Sequence, residues 1–208
     1  MSETKLKIIK QALHLFNNNG TSNVSLRAIA KETGISIGNL QYHFKKREDI
    51  IEALYFQLVD KIDAIIFIPD HNLLASFFSI SKKMFEILYD YHFFLLDFVT
   101  ITRNNKTIKK HYSELSKRRE MEFLFIVGVF IENGIFRKEV LKNEYRNLFK
   151  RTEIISNFSF SSIMIEENKI TKKAIDEYAT LISQSIYIYL TDEAKKQYES
   201  LFPSQKNN

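Results

Sequence analysis

An all-α fold is what this sequence predicts, on three observations. Apolar residues recur at steps of three and four along nearly the whole chain, the spacing that lines one face of an α-helix. Only five Gly and two Pro occur in 208 residues, too few for the hairpin turns, bulges and phosphate-cradling loops that β-rich and Gly-loop nucleotide folds need. The periodic runs end at helix stops such as Asn17-Asn18-Asn19-Gly20 and Asn133-Gly134. The composition, 45% hydrophobic and 26% charged, is that of a globular chain long enough for one large domain or two modest ones.

Each element follows in order. Ile8 or Ile9, Ala12, Leu13, Leu15 and Phe16 predict a first helix over about 4–17. Ser25 stands as an N-cap before Leu26 to Glu32, and Gly34 closes that second, two-turn helix. Ser36 caps a third, on which Ile37, Leu40 and Phe44 share one face. Two short helices across Thr33-Gly34-Ile35 make a helix-turn-helix. Ile51, Leu54, Leu58, Ile62 and Ile65 predict a long fourth helix over 46–67, stopping before Pro69, with Glu48 and Asp49 in its first turn as dipole partners. Beyond Pro69 the pattern predicts helices at roughly 71–89, 91–102, 105–132, 142–164 and 171–190, with a tail helix at 192–202. The total is nine to ten helices. The composition shifts from a small basic unit, residues 1–50, to a larger aromatic-rich body, residues 51–208, with the fourth helix shared as connector.

Several function classes drop out. Without cysteine there are no disulfides, thiolate metal sites or cysteine nucleophiles, which suits a reducing compartment. The longest apolar run, Phe123 to Ile131, is nine residues, well short of the roughly eighteen that a membrane span needs. Lys10, Gln11 and His14 interrupt the N-terminus, unlike a secretory signal, so a cytoplasmic location and no membrane partner are expected. Asn157-Phe158-Ser159 matches a glycosylation acceptor, which matters only on export. Ser79-Ile80-Ser81-Lys82 has a Ser-x-x-Lys spacing without a companion motif. His14, His71, His92 and His111 are scattered, without metal-ligand spacing. No enzyme, metal or cofactor is expected.

Charge points to polyanions. The net charge is +5, and residues 1–50 hold eight basic side chains against four acidic. A second cluster, Lys106, Lys109, Lys110, Lys117, Arg118 and Arg119 with only Glu114 opposing, reads first as the solvated face of a long helix and second as a membrane-surface contact.

The segment Ile29-Ala30-Lys31-Glu32-Thr33-Gly34-Ile35-Ser36-Ile37-Gly38-Asn39-Leu40-Gln41-Tyr42-His43-Phe44-Lys45-Lys46-Arg47-Glu48-Asp49-Ile50 resembles the DNA-binding domain of the TetR/AcrR family of bacterial transcriptional regulators. With Leu15-Phe16, Gly20 and Ser25 upstream, the resemblance covers the first fifty to sixty residues. From the residues themselves, Ala30, Ile35 and Leu40 form the small core between the two helices, and Phe44 packs inward. The outer face of the third helix offers Ser36, Ile37, Asn39, Gln41 and Tyr42 to a major groove: the amides suit adenine edges, and Ile37 a thymine methyl. The resemblance implies that Ser25, Arg27, Tyr42, His43, Lys45 and Lys46 meet phosphates, His43 being alternatively a cap or a packed imidazole. The sequence departs from the family pattern at Gln41, where an aromatic is frequent, and at Ile37, where a charged residue or Pro is frequent; these departures touch the operator contacts, not DNA binding.

The resemblance also implies that the rest of the chain makes a homodimer and often a ligand cavity. Candidate pocket residues are the aromatics Phe77, Phe94, Phe98, Tyr112, Phe123, Phe130 and Phe158, although aromatics at helical spacing are more often core than pocket. No basic cluster lies on an apolar face there, so a small apolar or aromatic ligand is expected. Candidate dimer residues are Ile155, Tyr178, Leu181, Ile182, Ser185 and Tyr189, on stripes wider than a one-sided surface helix needs. The alternative is that this helix is central within one subunit. The expected function is a repressor that occupies a palindromic operator as a homodimer and is released by its ligand. The alternative is a constitutive DNA-binding factor without an inducer.

Overall fold

The computed structural model describes residues 2–65 and 72–203, and over them the chain is helical with no strand. Eleven helices follow one another: α1 (Glu3–Asn19), α2 (Leu26–Thr33), α3 (Ile37–His43), α4 (Arg47–Asp63), α5 (Leu73–Asp90), α6 (His92–Leu96), α7 (Phe98–Asn104), α8 (Lys106–Glu132), α9 (Glu144–Glu167), α10 (Lys172–Tyr187) and α11 (Asp192–Leu201).

The all-α expectation holds, with three corrections to its elements. The helix predicted over 91–102 is two, because the chain turns at Asp97, whose carboxylate is held by Thr21, 76 residues away: the Thr21 amide and hydroxyl donate to Oδ2 at 2.9 and 2.5 Å. The fourth helix ends at Asp63, not 67, where the Ala64 amide turns to the carbonyls of Asp60 and Ile62. Its continuation would run into the β-branched Ile65-Ile66, poor helix formers ahead of Pro69. The third correction lies at the last long helices, which cover 144–167 and 172–187 instead of 142–164 and 171–190. The predicted break at Pro69, the helix start at 71 and His71 lie outside the described residues.

The chain forms two compact units. Unit 1 joins residues 1–64 to 87–112, and unit 2 joins 65–86 to 113–208, so α5 and α8 each contribute to both. In unit 1 the fully buried Ile8, Ala12, Phe16, Ile29, Leu40, Ile50 and Leu54 make the core of α1–α4. Phe93 of α6 sets its ring 5.5 Å from Phe16, and Phe94 lies 5.1 Å from Tyr55. Polar contacts fix the same segments: Asn17 donates to the Asp90 carbonyl at 2.8 Å and accepts from the Phe93 amide at 3.0 Å. The segment 87–112 is thus an integral part of the unit that holds the helix-turn-helix.

Unit 2 closes on an aromatic core that includes Phe78, Phe130, Phe136, Tyr145, Tyr189 and Tyr198. Phe136 and Tyr145 stack at 5.6 Å, and an isolated antiparallel bridge pairs Phe136 with Leu190. The start of α9 is capped from outside itself. Asn143 sits at φ 60° and offers no side-chain cap, so Glu139 accepts the Tyr145 amide at 3.0 Å. Glu144 takes Arg137 bidentately, at 2.7 and 2.9 Å, and the Val140 amide at 2.8 Å.

Those hydrogen bonds, from the Arg137 guanidinium first and the Val140 amide second, hold the Glu144 carboxyl down at about 2. A carboxylate depressed in the folded state stabilises above its ordinary value of 4.5, and that contribution is lost as pH falls toward about 2. E144Q is therefore expected to unfold at lower temperature than the wild type at neutral pH, with the gap closing as pH falls from about 4.5 to about 2. Thermal unfolding of both proteins across that range checks it, and a pH-independent gap would refute it.

Candidate nucleic-acid interface

The helix-turn-helix is built by three local devices. Ser25 accepts the Ala28 amide at 3.2 Å and starts α2. Gly34, left-handed at φ 73°, ends it, and the Gly34 and Ile35 amides return to the carbonyls of Lys31 and Ala30 at 3.1 and 3.0 Å. Ser36 then accepts the Asn39 amide at 3.1 Å and starts α3. Each serine spends an oxygen lone pair on its helix and keeps its hydroxyl hydrogen for an outside acceptor.

Packing orients α3. Leu40 is its one buried residue, 0% exposed, and Phe44 just beyond it is also buried, with the Lys5 ammonium over its ring at 5.0 Å. Ala30 is buried and Ile35 half-buried beside them. With Leu40 facing inward, Ile37, Asn39, Gln41 and Tyr42 face out, Tyr42 to the extent of 85%. Ser25, Arg27, Ser36, Lys45 and Lys46 are exposed as well. His43 is half-buried, its ring edge-on to Tyr42 at 5.2 Å. The face so formed carries two amides, a methyl-bearing side chain and a phenol, flanked by hydroxyls and cations.

The start of α4 is held where it meets this face. Asp49 accepts the Lys46 amide at 3.1 Å, and Glu48 and Asp49 occupy the first turn. Arg47 reaches back to the Thr21 carbonyl at 2.8 Å and pairs with Glu48 at 3.3 Å, while its Nε is buried without a hydrogen-bond partner. Sequence reasoning passed over this role of Arg47, because its target lies 26 residues upstream in a loop.

The candidate pocket aromatics fall in both units. Phe94 contacts Phe98 at 5.7 Å, and Phe98 contacts Tyr112 at 4.8 Å, within unit 1. Phe77 meets the fully buried Phe130 at 5.5 Å within unit 2, where Phe123 pairs with Phe149 at 5.7 Å. Phe158 is 45% exposed on α9. Of the dimer candidates, Leu181 is exposed, and Ile155, Tyr178 and Ser185 are half-buried. Ile182 and Tyr189 are buried within unit 2, because the inner half of the α10 stripe packs on the chain's own core. Ile188, on the same predicted stripe as Leu181, is exposed, and so is Ile154, one helical turn before Phe158, where sequence reasoning assigned no dimer contact. Among the described residues no three His, Cys, Asp or Glu side chains could hold a metal ion, and no helix is long and apolar enough to cross a membrane.

A family model described as "Bacterial regulatory proteins, tetR family" matches residues 8–54, and one described as "Bacterial transcriptional repressor" matches residues 57–198. A Bacillus subtilis (strain 168) protein, the "Probable HTH-type transcriptional regulator YttP", is 27% identical over 146 residues, 66% of this chain and 68% of that protein. The crystal structure of a TetR-family transcriptional regulator from Marinobacter aquaeolei VT8 superposes with a TM-score of 0.87 at 21% identity, covering 99% of this chain and all of that one. A transcriptional regulator from Saccharomonospora viridis, solved in complex with choline, gives 0.71 at 20% identity over 89% of this chain and 96% of that one.

Proposed function

Because this chain belongs to the TetR family of bacterial transcriptional regulators, we propose that it is a repressor that binds a palindromic operator as a homodimer and leaves it when a small ligand binds. Members of the family are transcriptional regulators, not enzymes. The observation that carries the reading is the outward face of α3, where Ile37, Asn39, Gln41 and Tyr42 stand exposed around a buried Leu40. Asn and Gln pair bidentately with adenine N6 and N7, and Ile37 meets a thymine methyl. Ser25, Arg27, Ser36, His43, Lys45 and Lys46 hold phosphates and set the register.

The homodimer is supported by the apolar surface that unit 2 leaves on α9 and α10: Ile154, Phe158, Leu181 and Ile188 are exposed, beside the half-buried Ile155, Tyr178 and Ser185. Two copies joined there present two recognition helices about a two-fold axis, which matches an inverted repeat. The ligand reading is supported by the aromatic density around Phe94, Phe98 and Tyr112 and around Phe77, Phe123 and Phe130, which suits a small apolar or aromatic molecule. The choline bound to the Saccharomonospora viridis regulator extends the class to small organic cations, which aromatic faces also attract. Release follows if the ligand favours a state with lower operator affinity.

Selection of the purified protein on a randomised duplex library tests the proposal. The expected result is an enriched inverted repeat bound by two copies, with an affinity that falls steeply as salt rises. Enrichment of a single half-site would overturn the dimer, and no enrichment from folded protein would overturn base reading by α3.

A further inference from the structure

The charge of the chain is concentrated on unit 1, which carries thirteen Lys and Arg against nine Asp and Glu and so holds +4 of the chain's +5. Only part of that excess belongs to the helix-turn-helix. Arg103, at the end of α7, and Lys106, Lys109 and Lys110, in the first turns of α8, are all exposed. Among the described residues none of the four has an ion-pair partner, in contrast to Arg118 and Arg119 further along α8, which share Glu122. Four unpaired cations within eight residues repel one another, a cost that an anionic partner removes.

Their position tells which partner. The α7–α8 corner rests on the first turns of α4: Asn105 donates to Glu52 at 3.0 Å, and a small open cleft there is lined by Thr21, Arg47, Glu48, Asn104 and Asn105 among others. Thr21 leads through a short loop to Ser25 and Arg27, and Arg47 directly follows Lys45 and Lys46. The corner therefore adjoins both segments that flank α3 and carry the phosphate contacts. Four acidic groups nearby are already engaged, Glu48 by Arg47, Asp49 by the Lys46 amide, Glu52 by Asn105 and Asp97 by Thr21, which leaves the exposed Glu114, one turn beyond Lys110, against four cations. The apolar neighbours Ile101 and Ile108 are buried, and the exposed Val99 alone falls short of the apolar face that a membrane-surface helix inserts.

We propose that Arg103, Lys106, Lys109 and Lys110 form a second, sequence-independent phosphate-binding face of unit 1, which grips the duplex flanking the half-site read by α3. The inference rests on the operator-binding reading above and adds to it a contact outside the operator. Duplex DNA offers about one phosphate charge per 1.7 Å of axis, so flanking base pairs supply acceptors whatever their sequence.

The test compares wild type with R103Q/K106Q/K109Q/K110Q on two duplexes, one trimmed to the selected operator and one with about ten extra base pairs on each side, across a salt series. For the variant on the flanked duplex, log K against log salt is expected to be shallower by about 0.9 per phosphate given up, on the order of two to four per bound head. On the trimmed duplex the two proteins should agree. A control, K138Q/K142Q/K169Q/K172Q, removes the same four charges from exposed positions of unit 2 and should keep the wild-type slope. Equal slopes for wild type and variant on the flanked duplex would overturn the proposal, as would a control that behaves like the variant, or a variant that loses binding to anionic vesicles while keeping the wild-type slope on DNA. A wild type that binds neither duplex would instead overturn the operator-binding reading, and this proposal with it.

Discussion

L40A is expected to abolish operator binding and to lower thermal stability by a large margin. Leu40 is fully buried and is the only residue of α3 that is. A seven-residue helix has little stability of its own, so this side chain, with the Ser36 cap and Phe44, fixes its orientation. Truncating a buried leucine costs about 2–5 kcal/mol, the transfer loss plus the cavity left behind. Against a total of about 5–15 kcal/mol that is a large share, and for a chain of this size it lowers the melting temperature by on the order of 10 °C. Calorimetry and operator titration on the same preparation check it. I37A, at a position 36% exposed on the same helix, should melt close to wild type. Equal melting of L40A and wild type would show that α3 is not anchored through this residue.

N39A/Q41A is expected to show the complementary pattern, with normal stability and lost specificity. Both side chains are exposed on α3, and among the described residues neither side-chain amide has a hydrogen-bond partner, so their removal leaves the unit intact. A bidentate amide-to-adenine contact is worth about 1–3 kcal/mol of discrimination. If the protein binds as a dimer each contact is made twice, about 2–6 kcal/mol in all, so each substitution should weaken operator binding by about 30-fold to about 10,000-fold. The salt dependence should stay that of the wild type, because no phosphate contact is lost. Titration of operator and scrambled duplex at several salt concentrations separates the two effects. Unchanged discrimination would remove both amides from base reading.

The helix-turn-helix was legible because its determinants are local. Ser25, Gly34 and Ser36 each act within three or four residues of themselves, and α2 and α3 begin and end where those residues predict. The long periodic helices were legible for the same reason, to within a few residues at their ends. The features that escaped depend on distant partners. Nothing near Asp97 in the sequence announces a break between α6 and α7, since the group that captures its carboxylate is Thr21. Asn143 carries no cap signal that works: the Tyr145 amide of α9 is taken by Glu139, which lies four residues before Asn143. A stripe that is apolar on more than one side identifies a helix with two packed faces. It does not say which face stays inside, and Ile182 and Tyr189 proved to belong to the chain's own core. Aromatic density likewise indicates packing without saying which rings pack with which, and the seven candidates are divided between the two units.

The discontinuous make-up of unit 1 bears on how such a chain is synthesised and recombined. Residues 1–64 leave the ribosome before 87–112 exist, so for a time Phe16 lacks Phe93, Thr21 lacks Asp97 and Tyr55 lacks Phe94. The unit that holds the helix-turn-helix is therefore begun first in translation but is not complete until more than half of the chain has been made. A crossover that exchanged only the first 64 residues between two such genes would pair each α1 and α4 with a foreign α6 and α7. Exchanges that keep the packing of unit 1 carry both segments, which ties the inheritance of the DNA-binding unit to a stretch of sequence well beyond the helix-turn-helix.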